Sequence, residues 1–176
     1  SSPRIMMSST PSLIDSMAIP ESLSGHPILE RWAGVLSAQG DASALFSPEG
    51  TVERTFSDVQ AEASEWAERL AGVPVVGLQM RNHLVWPAVL LGVWQAGGTV
   101  VLMDADLSGE RRLQVEAQGG VSVRVDGAGE IVMLKNPPAP MGRGRPCLLK
   151  LSSGTNGEVR TIRFTASQLM ADGDTV

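Results

Sequence analysis

Four short apolar runs constrain this chain more than any other feature. They are Val75-Val76-Gly77-Leu78-Gln79-Met80, Thr99 to Met103, Val121 to Val125 and Leu148-Leu149-Lys150-Leu151. Runs with little polar alternation are typical of strands covered on both faces. The first is followed by a helical stretch to about Ala96, which Asn82 is placed to cap. The second is followed, after Asp104-Ala105-Asp106, by another from about Ser108 to Gln118. Strand–helix–strand–helix–strand alternation predicts an α/β fold, a mixed, mostly parallel sheet with helices on both faces. In such sheets ligands gather at the carboxyl ends of the strands.

The remaining elements follow from local signals. Ile28, Leu29, Trp32, Val35 and Leu36 have helical spacing within His26 to Gln39, and Gly40 is a plausible stop. Ala44-Leu45-Phe46 and Thr51 to Phe56 flank Ser47-Pro48-Glu49-Gly50, a type I turn with Pro second and Gly fourth. Ser57 and Gln60 have capping-box spacing for a helix whose apolar face is Val59, Ala63, Trp66, Ala67 and Leu70. Asp126-Gly127-Ala128-Gly129 turns the third apolar run into Ile131 to Leu134. Residues 135–146 are rich in Pro and Gly, a loop. Thr165 and Gln168 again have capping-box spacing, for a helix in which the sequence stops. Residues 1–24 are Ser-, Pro- and Met-rich without a sustained period and read as an irregular leader. Residues 25–176 then form one incomplete α/β subdomain, cut within its last helix.

Composition narrows the function. The 176 residues carry a net charge of −5, with scattered arginines and no basic stripe, which argues against nucleic acid. The single cysteine, Cys147, cannot form an internal disulfide and suits a reducing, cytosolic setting. His26 and His83 have no partners at ligand spacing, so no metal site is predicted. Val85 to Met103 has the length of a membrane span. Pro87, Gly92, Gly97 and Gly98, and the lack of cationic flanks, favour a helix ending at Gly97-Gly98 before a buried strand.

The fourth apolar run leads into Ser152-Ser153-Gly154-Thr155-Asn156-Gly157, then a strand-like Val159-Arg160-Thr161-Ile162-Arg163. Such a loop presents backbone N–H groups and hydroxyls with little bulk, and its glycines let backbone approach a ligand. That suits an anion such as phosphate. The same residues also fit a plain hairpin connection. The Walker phosphate loop does not fit, because Gly157 is followed by Glu158. The dinucleotide fingerprint fails at Gly127 and Gly142, and no nucleophile elbow occurs. No catalytic residue is predicted.

The order of four segments resembles that of the adenylate-forming enzymes, the superfamily of acyl-CoA synthetases, peptide-synthetase adenylation domains and luciferases. Arg54-Thr55-Phe56-Ser57-Asp58-Val59 resembles their first core motif. Ala96-Gly97-Gly98-Thr99-Val100-Val101-Leu102-Met103-Asp104 is similar to the second. Leu151 to Arg160 is similar to the third, and Thr165-Ala166-Ser167-Gln168-Leu169 to the segment that follows it. The resemblance implies the N-terminal part of such an enzyme's large domain. It implies ATP binding, with Mg2+ in the parent enzyme but ligands for it outside this chain. It implies a carboxylic acid substrate, a CoA or carrier-protein thiol as acceptor, and the remainder of a parent chain as partner. By position, Ser152, Ser153, Gly154, Thr155, Asn156 and Gly157 would wrap the β- and γ-phosphates, and Arg160 would support them. There are departures. Asn156 replaces the second Thr, Val159 the Pro, Arg160 the Lys and Ala166 the His of the family pattern. Arg160 keeps the cation in a different geometry, and also reads as a solvated strand residue. Two functions are therefore in view. One is a ligase that activates a carboxylate as an acyl-adenylate, its fragment inactive alone. The other is a non-catalytic nucleotide- or acyl-binding module on the same fold.

Overall fold

A computed structural model describes residues 25–81, 83–127, 129–135, 146–153 and 159–174. The leader and most of residues 135–146 lie outside that set. So do Asn82 and residues 154–158.

Helix α1 (Pro27–Gln39) opens with Pro at its first turn, where the missing N–H is not needed. Its apolar stripe buries Leu29 completely. Gly40 ends it with φ −50°, so no left-handed cap is used. Glycine is required there by crowding: a Cβ would lie 2.8 Å from Ser57 Oγ and 2.9 Å from the Leu36 carbonyl.

The hairpin forms as expected, β1 (Ser43–Phe46) antiparallel to β2 (Val52–Thr55). Gly50 N donates to Ser47 O at 2.9 Å, and Gly50 takes φ +84°, a value glycine reaches without strain. Helix α2 (Phe56–Arg69) corrects the sequence reading by two residues. Its N-cap is Thr55, not Ser57: Thr55 Oγ1 accepts from Asp58 N, and Asp58 returns a bond from Thr55 N at 2.8 Å. Ser57 lies inside the first turn, and Gln60 serves a different purpose, described below.

Six strands form the main sheet, in the order β6-β5-β3-β4-β7-β8. They are β3 (Val75–Gln79), β4 (Thr99–Leu102), β5 (Val123–Asp126), β6 (Glu130–Met133), β7 (Leu148–Ser153) and β8 (Val159–Phe164). The inner four are parallel, while β6 and β8 fold back antiparallel on the two edges. Strand β5 starts two residues later than its apolar run, because Val121 is spent in the turn after a helix. That helix, α4 (Gly109–Gly119), joins β4 to β5, and α3 (Trp86–Gln95) joins β3 to β4. Helix α3 begins later than the sequence implies. His83 caps the turn before it, with Nδ1 accepting from Val85 N at 3.3 Å. Helix α5 (Ala166–Gly173) has the predicted capping box between Thr165 and Gln168.

The period-2 alternation of the strands sorts the core into two layers. Val76, Leu78, Val100, Val123 and Val125 face α1, α2 and α3, against Leu29, Ala63, Trp66, Val89 and Trp94, with Ala166 and Leu169 of α5 at the margin. Val75, Val101, Val121 and Leu149 face the other way, where α4 supplies Val115. The stretch 85–103 is thus a ten-residue helix and a sheet strand. Among the described residues no helix is long and apolar enough to cross a membrane.

Candidate functional site

The connections around β3 and β4 define where a ligand would sit. After β3 the chain rises into α3 on one face of the sheet. After β4 it enters α4 on the other face. Adjacent parallel strands whose connections part in this way leave a crevice at their carboxyl ends. Strand β7 flanks that crevice, parallel to β4 with Leu102 opposite Lys150. Continuing that register places the end of β7, Ser152 and Ser153, beside Asp104 and Ala105.

Of the predicted phosphate-binding residues, the backbone of Ser152 and Ser153 forms the last two positions of β7. Arg160 is paired opposite Ser152 on β8, exposed, and makes no ion pair with a described residue. Gly154, Thr155, Asn156 and Gly157 lie outside the described residues. The strand that delivers the loop is firmly seated at its other end. Thr99 Oγ1 donates to Pro146 O at 2.6 Å, and Trp94 Nε1 donates to Cys147 O at 2.9 Å. Burial pushes the Cys147 thiol up to about 11, so it is a protonated core group rather than a nucleophile.

Three polar residues of this edge were not singled out in the sequence. Gln79, at the end of the otherwise apolar β3, is buried. Its Nε2 lies 3.2 Å from Asp104 O, 3.4 Å from Ala105 O and 2.5 Å from Leu107 O. Arg81, two residues on, pairs with Asp106 across the crevice. The one readable signal was a lone amide in an apolar strand, a residue that burial forces to find partners. On β5, Arg124 is buried between Glu116 of α4 at 2.5 Å and Asp126 at 3.1 Å. Those two carboxylates hold its guanidinium above the ordinary arginine range, against the opposing effect of burial. An open groove of about 620 Å³ runs from Leu45, Phe46 and Pro48 of the hairpin to His83, Leu84 and Pro87. Among the described residues no three or more His, Cys, Asp or Glu side chains are grouped to hold a metal.

An open, doubly wound sheet with a serine-tipped strand beside its switch point is the frame of a nucleotide-binding α/β protein. Residues 29–140, well over half of the chain, match the profile of the AMP-binding enzyme family. The chain belongs to that family, and its fold is that of the N-terminal domain of adenylate-forming enzymes. It is similar in structure to the N-terminal domain of FACL13 from Mycobacterium tuberculosis, solved with an inhibitor, with TM-score 0.62 and 17% identity over 78% of this chain and 44% of that one. The anthranilate CoA ligase AuaEII in complex with anthranoyl-AMP gives TM-score 0.60 and 20% identity over 80% of this chain and 33% of that one. O-succinylbenzoate coenzyme A synthetase from Bacillus subtilis, in complex with AMP, gives TM-score 0.55 and 20% identity over 76% and 41%. The chain spans less than half the length of each. No curated protein sequence matches it.

Proposed function

We propose that this chain is the phosphate-holding front part of an ATP-dependent, AMP-forming carboxylate ligase. The observation that carries the reading is the placement of Ser152 and Ser153 at the carboxyl end of β7, beside the β3–β4 crevice, in an AMP-binding family chain. In the proposed reaction a carboxylate oxygen attacks the α-phosphorus of ATP. The bond from that phosphorus to the bridging oxygen breaks, and pyrophosphate leaves with the negative charge. Backbone N–H groups and hydroxyls of Ser152, Ser153, Gly154, Thr155, Asn156 and Gly157 would stabilise that charge where it develops. Arg160 would add a cation from β8. ATP enters as its Mg2+ complex, with the ion brought by the substrate. A CoA or carrier-protein thiol then loses its proton and attacks the acyl carbon of the acyl-adenylate, the bond from that carbon to the phosphate oxygen breaks and AMP leaves, in a cytosolic setting. Adenine, ribose and acyl pockets are completed by further chain, and these 176 residues alone do not turn over.

The test is ATP–pyrophosphate exchange by the protein in its full natural length, with a panel of carboxylic acids. Exchange with at least one acid is expected, falling about 100-fold in Thr155→Ala if the hydroxyl stabilises the leaving phosphates. A protein that exchanges with no acid, and binds no ATP by calorimetry, sinks the reading. Binding without exchange selects the second reading, a non-catalytic nucleotide-binding module. Val159 and Arg160, in place of the family's Pro and Lys, are the observation in its favour.

A further inference from the structure

The β4–α4 loop stands beside the end of β7, yet it is made of groups that repel phosphate. It brings two carboxylates, Asp104 and Asp106, and a series of backbone carbonyls. Several of these acceptors have partners within the loop or on β3. The carbonyls of Asp104, Ala105 and Leu107 converge on the buried amide of Gln79. Asp104 O also accepts from Leu107 N at 3.1 Å. Asp104 Oδ1 accepts from Asp106 N at 3.0 Å. Asp106 is paired by Arg81. Gln79 and Arg81 both come from the end of β3, so one strand engages the carbonyls of its neighbour's loop and pairs one of its two carboxylates, while Asp104 keeps its charge.

We propose that Gln79 and Arg81 are positioning residues for a polyphosphate at the end of β7. Gln79 engages the loop carbonyls with the two hydrogens of its amide, and Arg81 offsets the Asp106 charge next to the anion. The proposal rests on the phosphate-binding reading of residues 152–157. The Arg81–Asp106 pair is three-quarters exposed on both sides, so it adds little to folding. Its effect on a bound anion is separable from stability for that reason.

The experiment is calorimetric titration of Mg2+–ATP into the protein and its variants, with unfolding midpoints measured alongside. Arg81→Gln is expected to weaken ATP binding about three- to tenfold, an effect of one uncancelled charge at a screened separation, with an unchanged midpoint. Arg81→Lys restores most of it. In Arg81→Gln/Asp106→Asn the affinity returns to near the wild-type value, because the charge that Arg81 cancels is gone. Gln79→Met weakens binding as well, and speeds hydrogen exchange at residues 104–107 while leaving β5 protected. If the wild type binds ATP and Arg81→Gln binds equally well, the inference is wrong. It is equally wrong if the double variant stays as weak as the single one, which would make Arg81 a direct phosphate contact. A wild type that binds no ATP removes the underlying reading instead.

Discussion

His26 sits at the N-cap of α1 with both ring nitrogens buried and without hydrogen-bond partners, its ring 5.6 Å from that of Trp94. Burial lowers its pKa from the ordinary 6.5; its own backbone carbonyl and Glu30 pull upward but less. A folded-state pKa below the unfolded one means that the unfolded chain takes up the proton first. The stability tied to neutral His26 is therefore present above the unfolded value of 6.5 and is lost as pH falls toward the folded one. The unfolding midpoint is expected to drop between about pH 7.5 and about pH 5.5, and to drop less in His26→Gln, as read by calorimetry. Gln60 is the second residue with a role beyond its own helix. Its Oε1 accepts from Trp32 Nε1 at 2.7 Å and Gln95 Nε2 at 2.9 Å, and its Nε2 donates to Ser64 at 2.9 Å. One amide thus joins α1, α2 and α3. Gln60→Leu should cost about 1–3 kcal/mol in urea unfolding, because two donors lose their acceptor. Read from the sequence, Gln60 looked like a capping residue. The spacing was real, but Thr55-x-x-Asp58 offered the same spacing two residues earlier, and only the path of β2 decides between them.

At the scale of elements, the pair α2 and α3 carries the larger core layer, and their closest approach is at Gly92. A Cβ there would lie 2.5 Å from Trp66 Cβ and 2.8 Å from Ala63 O. Gly92→Ala gains up to about 1 kcal/mol of helix propensity. Overpacking against backbone that cannot yield costs about 1–3 kcal/mol, so the net effect is destabilising. Chemical denaturation should show it as a lower midpoint at an unchanged slope. A helical period in the sequence shows which face of α3 is apolar, and that was legible. It does not reveal how near a neighbouring helix passes, which depends on side chains many residues away. The capping box of α5 was legible because all its atoms lie within four residues.

The whole molecule depends on α4 being held against its face of the sheet, a face on which α4 is the one described helix. Its inner side offers a modest apolar layer around Val115, and beside it the buried pair Glu116–Arg124. Arg124→Met alone leaves the Glu116 carboxylate with only the more distant Arg112 Nε at 3.8 Å and should cost about 3 kcal/mol. Arg124→Met/Glu116→Leu should recover most of that, since a packed apolar pair replaces two desolvated charges; urea midpoints of both variants check it. What the sequence by itself determined is the set of elements, the α/β class and the strand that ends in serine, because periodicity, turns and capping boxes act over a few residues and along one chain direction. Only the tertiary structure decided the strand order, the crevice between β3 and β4, and the union of Gln79 and Arg81 with the loop 104–107. Those contacts join residues about 25 apart in sequence, and the burial that compels them exists only once the sheet has closed over both faces.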